Sequence, residues 1–375
     1  MSVVFLTAAP GPLSAAQYSV RPTLDVRPEY DSNPRLVTGS HDSAFGGIVD
    51  VGADLERRTE TTTLRLTPLA RFRRFDSEED LDSDDQFLDL QAVQTAPRLM
   101  FGLTAGFARD STLTSEVTTI GEVFDRRRRI AIDATPSVGY ELSPRSRLEA
   151  SYTYTDVDYD KGQSVGLFDF MNHDVDITIR YSASATSSFL GRVFAARFDS
   201  EEAMQDTDTL ALTVGYTKEF SETFEGNFEA GAASSRERTT PFGVSVKSDS
   251  LGPVFDVSLV KEFERTSVRV GSAFIRSPTG QGRVVERLEA TASINHEFTP
   301  LWSAQLDVLA FRNRGLNDPT DTSDADFISG ELGVGRQLTE RWTISGSYRY
   351  RRREEEVSSA TAESHAVFLT LRYRQ

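Results

Sequence analysis

The last eleven residues of the chain read His365-Ala-Val-Phe-Leu-Thr-Leu-Arg-Tyr-Arg-Gln375. Apolar residues at 367, 369, 371 and 373 alternate there with Thr370, Arg372 and Arg374. Because successive side chains of a β-strand point to opposite faces, the alternation predicts a strand with one apolar and one polar face. Such a strand separates two different solvents, and roughly ten tilted residues suffice to cross a bilayer.

The same alternation recurs over residues 20–30, 130–140 and 342–351. Short turns of a common form join such segments, as in Phe220-Ser-Glu-Thr-Phe224 and Leu338-Thr-Glu-Arg-Trp342. A few polar residues between two apolar ones are typical of tight hairpins. Eight such turns are predicted, near residues 57–61, 95–99, 143–147, 184–188, 221–223, 264–267, 299–301 and 339–341.

These turns join sixteen strands, and the segments at 20–30 and 365–375 bring the number to about eighteen, with sixteen as the fallback. The strands near 87–94 and 188–198 have the weakest patterns. Longer polar stretches separate the hairpins, at 76–85, 110–125, 156–170, 199–208, 234–249, 312–326 and 352–363. Short turns at one end and long loops at the other predict an all-β, antiparallel, up-and-down outer-membrane barrel with both termini in the periplasm.

Aromatic and basic residues cluster beside the short turns. A Lys, His or Arg often stands two positions before the apolar residue of the turn, on the same face, as Lys218 does before Phe220. Aromatic rings and basic side chains both favour a membrane interface, so they predict a periplasmic girdle. Its members are Lys218, Phe220, Lys261, Phe263, Phe298, Trp302, Arg336 and Trp342.

The composition narrows the function further. The 375 residues contain 57 acidic and 41 basic side chains, a net charge of −16, and no Cys. This charge argues against nucleic acid as a partner, because phosphates require basic patches. The absence of Cys excludes disulfide scaffolds, thiolate zinc sites and Cys nucleophiles. We expect no cofactor and no metal.

The first residues have a different character from the rest. Val3 to Ala9 is a short apolar stretch, and the small residues Ser14-Ala15-Ala16 precede Gln17. An apolar segment followed by small residues is typical of the end of a secretory signal. We therefore expect a signal-peptide remnant over 1–16 and a single barrel domain over 17–375.

Alternation places nine arginines on the lumen side of strands that become neighbours when the barrel closes: Arg21, Arg27, Arg65, Arg71, Arg73, Arg349, Arg351, Arg372 and Arg374. Two interpretations are open. Guanidinium groups bind carboxylate and phosphate in pairs of hydrogen bonds, which suits a track for an anionic solute or sugar chain. Alternatively, the arginines brace the wall through the carboxylates among them, including Asp25, Glu29, Asp50, Asp54 and Glu56.

No convincing pair of nucleophile and base is found for an enzyme. The four histidines, His41, His173, His296 and His365, are scattered, and the adjacent pair His173-Asp174 is a weak signal. We expect no catalytic residues.

The chain resembles the exopolysaccharide-associated outer-membrane β-barrel porins, most locally at Tyr30-Asp-Ser-Asn-Pro-Arg35, which is similar to the turn of that family into its first outer loop. The resemblance implies passage or export of a polysaccharide. Together with the arginines, it leads us to expect an outer-membrane channel for an anionic polysaccharide or saccharide or for small solutes. The implied partners are outer-membrane lipid and lipopolysaccharide, the barrel-assembly machinery and polysaccharide export components. A general diffusion porin is an alternative, although it requires an inward loop and none of the loops indicates one. A non-conducting structural or enzymatic outer-membrane barrel is the second alternative.

Overall fold

The computed structural model describes residues 16–76, 81–116, 126–240, 244–316, 325–355 and 360–375. Over these residues the chain forms one antiparallel sheet of eighteen strands, and the sheet closes because β1 pairs with both β2 and β18. The strands are β1 (Gln17–Asp31), β2 (Ala44–Arg58), β3 (Thr62–Phe75), β4 (Ser83–Thr95), β5 (Leu99–Ser111), β6 (Arg128–Ser143), β7 (Ser146–Tyr159), β8 (Phe170–Ser184), β9 (Ser187–Ser200), β10 (Gln205–Ser221), β11 (Phe224–Thr239), β12 (Val246–Glu262), β13 (Thr266–Thr279), β14 (Arg283–Thr299), β15 (Trp302–Gly315), β16 (Ala325–Gln337), β17 (Trp342–Glu355) and β18 (Thr361–Arg374).

The prediction of an eighteen-stranded barrel is confirmed, and the fallback of sixteen strands is not needed. The eight predicted turns all join consecutive strands at one end of the barrel, which we call the turn end. The first residue of β1 and the last residue of β18 lie there too, and the opposite end is the loop end. The predicted signal remnant falls almost wholly outside the described residues.

Each of two short turns is stabilised by a threonine side chain of its own. The Thr299 hydroxyl accepts a hydrogen bond from the backbone N–H of Trp302 at 3.1 Å. The Thr339 hydroxyl accepts from the N–H of Trp342 at the same distance. Short polar side chains that bond to the backbone two or three residues on stabilise turns, which explains the shared Thr-x-x-Trp spacing.

The strand at β9, whose lipid face the sequence leaves open, is settled by its contacts. Phe189 and Val193 are half exposed on the outer surface, whereas Arg192 points inward and pairs with Asp176 and Glu229. The outer face of β9 therefore consists of Phe189, Gly191, Val193 and Ala195.

Two polar stretches predicted as loops are largely strand. β9 continues to Ser200 and β10 resumes at Gln205, while β11 and β12 together cover most of 234–249. Ion pairs between neighbouring strands, Arg238 with Asp206 and Arg236 with Asp249, each at 2.9 Å, stabilise these polar extensions. The prediction of long loops at both places is wrong because cross-strand charge pairs support a β-ladder as well as apolar contacts do.

Apolar side chains pack inside the barrel near the loop end. Leu36 of the first loop is fully buried against Phe311 and Phe327, and Leu113 of the short helix α1 (Thr112–Ser115) packs on the same cluster. A second cluster joins Val157, Tyr159, Leu167, Phe170, Phe198 and Val284. Within the described part of the chain, no helix is long and apolar enough to cross a membrane.

Candidate functional site in the barrel lumen

The structure brings the nine arginines together on the inner surface of β17, β18, β1 and β3, with β2 between the last two; we call this surface the arginine wall. One row across it shows the arrangement. Arg372 lies opposite Asp25, Asp25 opposite Asp50, and Asp50 opposite Arg71. Acidic and basic side chains thus occupy adjoining strands, within reach of one another.

Eight of the nine arginines lie within 4 Å of a carboxylate. The pairs are Arg21–Glu56 at 3.1 Å, Arg27–Glu29 at 3.5 Å, Arg65–Asp54 at 2.7 Å, Arg71–Asp50 at 2.7 Å, Arg73–Asp85 at 3.9 Å, Arg349–Glu29 at 2.9 Å, Arg351–Asp31 at 2.7 Å and Arg372–Asp25 at 2.9 Å. These eight arginines share seven different carboxylates, because Arg27 and Arg349 both face Glu29, and Arg374 is in no ion pair among the described residues. The nine arginines therefore outnumber the carboxylates paired with them by two. This is the geometry that bracing requires, with a small positive excess.

Solvent access along the arginine wall increases toward the turn end. The side chains of Arg351 and Arg73, near the loop end, are 10% and 17% exposed. Those of Arg21 and Arg65, near the turn end, are 53% and 48% exposed. A dissolved ion can therefore approach the guanidinium groups near the turn end, whereas those near the loop end are packed into the wall.

The segment Tyr30-Asp-Ser-Asn-Pro-Arg35 ties the first loop to the closing strands. The buried Asp31 carboxylate accepts hydrogen bonds from Arg351 at 2.7 Å and from the Ser364 hydroxyl at 2.6 Å. The fully buried Asn33 amide donates to the carbonyls of Val37 and Glu363. Asp31 was not among the arginine partners considered from the sequence. It lies two residues after Glu29, on the same inward face of β1, and this position is the signal that was missed.

A polar cavity of about 150 Å³ lies beside this segment. Its charged lining includes Arg27, Glu29, Arg73, Arg349 and Arg351, and Leu81 and Leu113 close it from the loop side. The arginine wall near the loop end thus borders a polar space that is lined by guanidinium groups and by the carboxylates of Glu29 and Asp31.

The hairpin of β13 and β14 bends into the lumen. Pairing between β12 and β13 stops at Phe255 and Phe274, whereas β13 continues to pair with β14 as far as Thr279 and Arg283. The tip then docks across the lumen, and the Phe168 N–H donates to the Gly280 carbonyl at 2.8 Å. Val284 is buried against Val157, Tyr159 and their cluster. The sequence indicated no inward loop, whereas the structure places this hairpin in the lumen.

Two glycines allow this docking. A Cβ at Gly280 would lie 2.5 Å from the Tyr159 hydroxyl, and one at Gly282 would lie 2.4 Å from Ala203 Cβ. Gly282 also has a positive φ of 75°, which favours glycine. The run Thr279-Gly-Gln-Gly282 was the available signal, but a glycine pair in a loop does not by itself reveal which way the loop folds.

The inward surface of β10, β11 and β12 faces the lumen with mostly small or acidic side chains, and we call it the acidic wall. Glu229 and Asp256 lie opposite each other on adjacent strands, and Arg192 contacts Glu229 at 3.0 Å. Small residues such as Ala211, Ala233 and Gly252 lie among them. The lumen is therefore asymmetric in charge.

The predicted girdle residues lie together at the turn end on the outer surface. Phe220, Phe263, Phe298 and Trp302 are between 42% and 57% exposed. The Lys261 ammonium lies 5.4 Å from the centre of the Phe263 ring, and the Arg336 guanidinium lies 5.3 Å from that of Trp302. The remaining members are Lys218, which donates to the Ser187 hydroxyl, and Trp342, which packs on Tyr373.

The histidines stay apart. His173 and His365 lie on the outer surface, each with Nδ1 2.7 Å from a tyrosine hydroxyl, of Tyr152 and Tyr348 respectively. His296 contacts the Thr266 hydroxyl near the turn end, and His41 lies in the first loop. Among the described residues, no group of His, Asp and Glu is arranged to hold a metal ion.

Comparison with known proteins gives a likeness of fold. No protein-family model and no curated protein matches the sequence. A BenF-like porin from Pseudomonas fluorescens Pf-5 is similar in structure, with a TM-score of 0.51 and 9% identity over 97% of this chain and 100% of that chain. The fold is that of an outer-membrane porin. Pseudomonas aeruginosa OccK2 (OpdF) and Acinetobacter baumannii OccAB3 are also similar, each 9% identical over 95% of this chain and 98% and 99% of theirs, with TM-scores of 0.49 and 0.48.

The porin fold agrees with the outer-membrane β-barrel expected from the sequence. The likeness to the BenF-like porin does not extend to the exopolysaccharide-associated subtype. The identity of 9% limits the likeness to the path of the backbone, so it assigns no role to any side chain of this lumen.

Proposed function

We propose that the chain is an outer-membrane pore, with both termini in the periplasm, that admits small solutes through a constricted lumen. The observation that carries the proposal is the inward hairpin of β13 and β14, whose tip docks on β7 and the loop after it. An element that crosses the lumen narrows the path, and a porin barrel of this size otherwise encloses an aqueous channel.

The same observation favours small solutes over polysaccharide. A general diffusion porin requires an inward element, and the hairpin supplies one. A polysaccharide would need to pass the hairpin tip, Leu36 and Leu113, all of which pack inside the barrel at the loop end. Polysaccharide export therefore remains an implication of the sequence resemblance alone.

A preference for anions is the second part of the proposal. The arginine wall carries a small positive excess, and its most exposed guanidinium groups, including Arg21 and Arg65, lie near the turn end. Arg374 adds a charge there, since it has no ion pair among the described residues. Ordered charges in a narrow polar path raise the local concentration of the opposite ion.

The remaining partners and the absence of catalysis follow as proposals. Exposed aromatic rings with nearby Lys and Arg at the turn end are suited to a lipid interface. We propose outer-membrane lipid and lipopolysaccharide as the surroundings of the barrel and the barrel-assembly machinery as the route of insertion. Nothing in the arrangement of the four histidines calls for an enzymatic role.

The test is single-channel conductance of the refolded chain in a planar bilayer, with reversal potential measured under a salt gradient. We expect open channels that prefer anions. Val284→Asp should undock the hairpin, because an unpaired charge in an apolar cluster is strongly unfavourable, and should raise conductance or cause large current fluctuations.

The matched control is Val244→Asp, since Val244 is 64% exposed and makes no part of the cluster. Its conductance should equal that of the parent. If neither the parent nor Val284→Asp conducts ions, the pore proposal is wrong and a non-conducting barrel is favoured. Equal conductance of all three proteins would show that the hairpin does not limit the path.

A further inference from the structure

The barrel wall is open between β12 and β13 on the loop-end side of their last pair, Phe255 and Phe274, and we call this opening the parting. Above the pair Phe255 and Phe274, residues 246–254 of β12 pair only with β11, whereas residues 275–279 of β13 pair only with β14. Elsewhere each strand is laddered to both neighbours along most of its length. The inward bend of the hairpin thus leaves one edge of β12 without a neighbouring strand.

The parting begins within the apolar band of the outer surface. Leu210, Ser234 and Leu251 form one row across β10, β11 and β12, and Leu210 and Leu251 are 51% and 79% exposed. The next outward-facing row toward the loop end is charged, with Asp208, Arg236 and Asp249. Because an apolar-to-charged change on the outer face marks the edge of the hydrocarbon, the lower part of the parting lies at the depth of acyl chains.

A pocket of about 480 Å³ lies inside the wall at this level. Its apolar lining comes from Phe194, Ala211, Val254, Phe255 and Ile275. Its charged lining comes from Arg192, which pairs with Glu229, and from Asp256 and Arg276. Phe255 and Ile275 stand on the two sides of the parting, so the pocket adjoins it directly. An apolar pocket beside an opening in a membrane-facing wall is suited to a hydrocarbon chain.

One hydrogen-bond donor in this pocket, Nη2 of Arg276, has no acceptor among the described residues. The Arg276 side chain is only 4% exposed; its Nη1 donates to the Ser235 hydroxyl, whereas its Nη2 has no hydrogen-bond acceptor. The Glu286 carboxylate, 3.6 Å from Nη2, forms an ion pair with the guanidinium but lies beyond hydrogen-bond distance. A buried guanidinium with a free donor is costly unless an acceptor reaches it. Gly252 faces Nη2 and contributes no side chain to fill the space.

We propose that this pocket binds a single-chain anionic amphiphile from the surrounding leaflet. The hydrocarbon chain lies in the parting between β12 and β13 and in the apolar part of the pocket, and the carboxylate or phosphate head accepts a hydrogen bond from Arg276 Nη2. The site opens sideways to the membrane, so it does not depend on ion conduction along the barrel axis.

The experiment uses the full chain in phosphatidylcholine nanodiscs with a photoreactive dodecanoate probe whose reactive group is on the chain. We expect saturable labelling, with labelled peptides from residues 251–255 or 274–276. Dodecanoate and dodecyl phosphate should compete and dodecanol should not. Their relative potency separates a carboxylate head from a phosphate head.

Two variants test the two halves of the site. Arg276→Gln should weaken labelling about tenfold or more, as expected for loss of a charged hydrogen bond, whereas Arg236→Gln on the outer surface should not. Because Arg276→Gln also loosens the hairpin, the second variant is Val254→Cys, unique in a chain without Cys. Reaction with N-benzylmaleimide should block the pocket and abolish labelling, and the unreacted protein should label like the parent.

Equal competition by dodecanol would overturn the proposal, because it would reveal simple partition into lipid. Labelling spread over the whole outer surface, or labelling unchanged by the maleimide, would overturn it as well.

Discussion

The arginine wall and the acidic wall face the same lumen but are built differently. The arginine wall consists of long side chains held in pairs across adjacent strands, such as Arg71 with Asp50. The acidic wall carries small residues and carboxylates, such as Glu229 and Asp256. Opposite charges on opposite walls impose a transverse field on any solute between them.

The difference in side-chain size matters as much as the difference in charge. Arg276 and Glu286 of the inward hairpin approach Ser235 and Gly252, two small residues of the acidic wall. Long side chains at these positions would occupy the space the hairpin uses. A wall of paired arginines stiffens the barrel, whereas a wall of small residues leaves room for a constricting element.

The largest expected effect comes from reversing charge on the arginine wall. Replacing Arg349 and Arg372 by Glu places carboxylates beside Glu29 and Asp25 and changes the wall by four charges. We expect anion preference to turn into cation preference, read from the reversal potential under a salt gradient. The double variant Arg349→Gln with Arg372→Gln should give a reversal potential between those of the parent and the Glu variant.

The control pair is Arg312→Glu with Arg352→Glu, because both side chains lie on the outward face and the net change in charge is the same. An unchanged reversal potential in the lumen variant would mean that the arginines only brace the wall. The track interpretation would then be abandoned.

The next effect concerns the stability of the arginine wall. Asp31→Ala leaves the buried Arg351 guanidinium without its carboxylate and removes the acceptor of Ser364. Removal of one partner of a buried ion pair costs about 3–5 kcal/mol. Urea unfolding of the refolded barrel should show a loss of this size, whereas Asp42→Ala in the exposed first loop should unfold like the parent. If Asp31→Ala and Asp42→Ala unfold at the same urea midpoint, the ion pair of Asp31 with Arg351 does not stabilise the barrel.

A smaller effect is expected from the acidic wall. Glu229→Gln with Asp256→Asn removes two negative charges, and Arg192 keeps Asp176 as a partner at 3.0 Å. Anion preference should rise modestly, by less than the arginine reversal lowers it, because the carboxylates no longer attract cations. Glu222→Gln with Glu264→Gln, in two short turns, should leave the reversal potential unchanged. A fall in anion preference in the lumen variant would contradict a transverse field.

The smallest effect is a pH dependence at the hairpin tip. Burial raises the pKa of the Glu116 carboxyl, against the opposing effect of Arg129. The Tyr159 hydroxyl donates to Glu116 at 2.8 Å, and the same hydroxyl borders Gly280 of the tip. Since the pKa is higher in the folded state, the protonated carboxyl stabilises this packing below the unfolded pKa, and the contribution is lost as pH rises through the folded pKa.

Current fluctuations should therefore be fewer in mildly acidic buffer than at neutral pH. Glu116→Gln should show the same low level at both pH values, because the amide mimics the protonated form. If Glu116→Gln keeps the pH dependence of the parent, the current fluctuations depend on a different titratable group.

Much of the barrel could be predicted locally. Alternation of apolar and polar residues depends on neighbours two positions apart, so the faces of β6, β17 and β18 and the eight turns were accessible from the pattern alone. The inward placement of the nine arginines follows from the same rule. At β9 the rule failed, because Phe189 and Leu190 are both apolar and only Arg192, with its lumen partners, distinguishes the faces.

The pattern along the chain was sufficient for the architecture because the side chains of each strand alternate between the lipid face and the lumen face. It was insufficient for the inward hairpin, the Asp31 site and the free Arg276 donor. These arise from contacts between residues far apart in the chain, such as Gly280 with Phe168 and Asp31 with Arg351. The local sequence of the hairpin does not indicate whether it bends toward water or toward the lumen. The direction is set by the packing of Val284 in a cluster with Val157 and Phe170, both more than a hundred residues away in the chain.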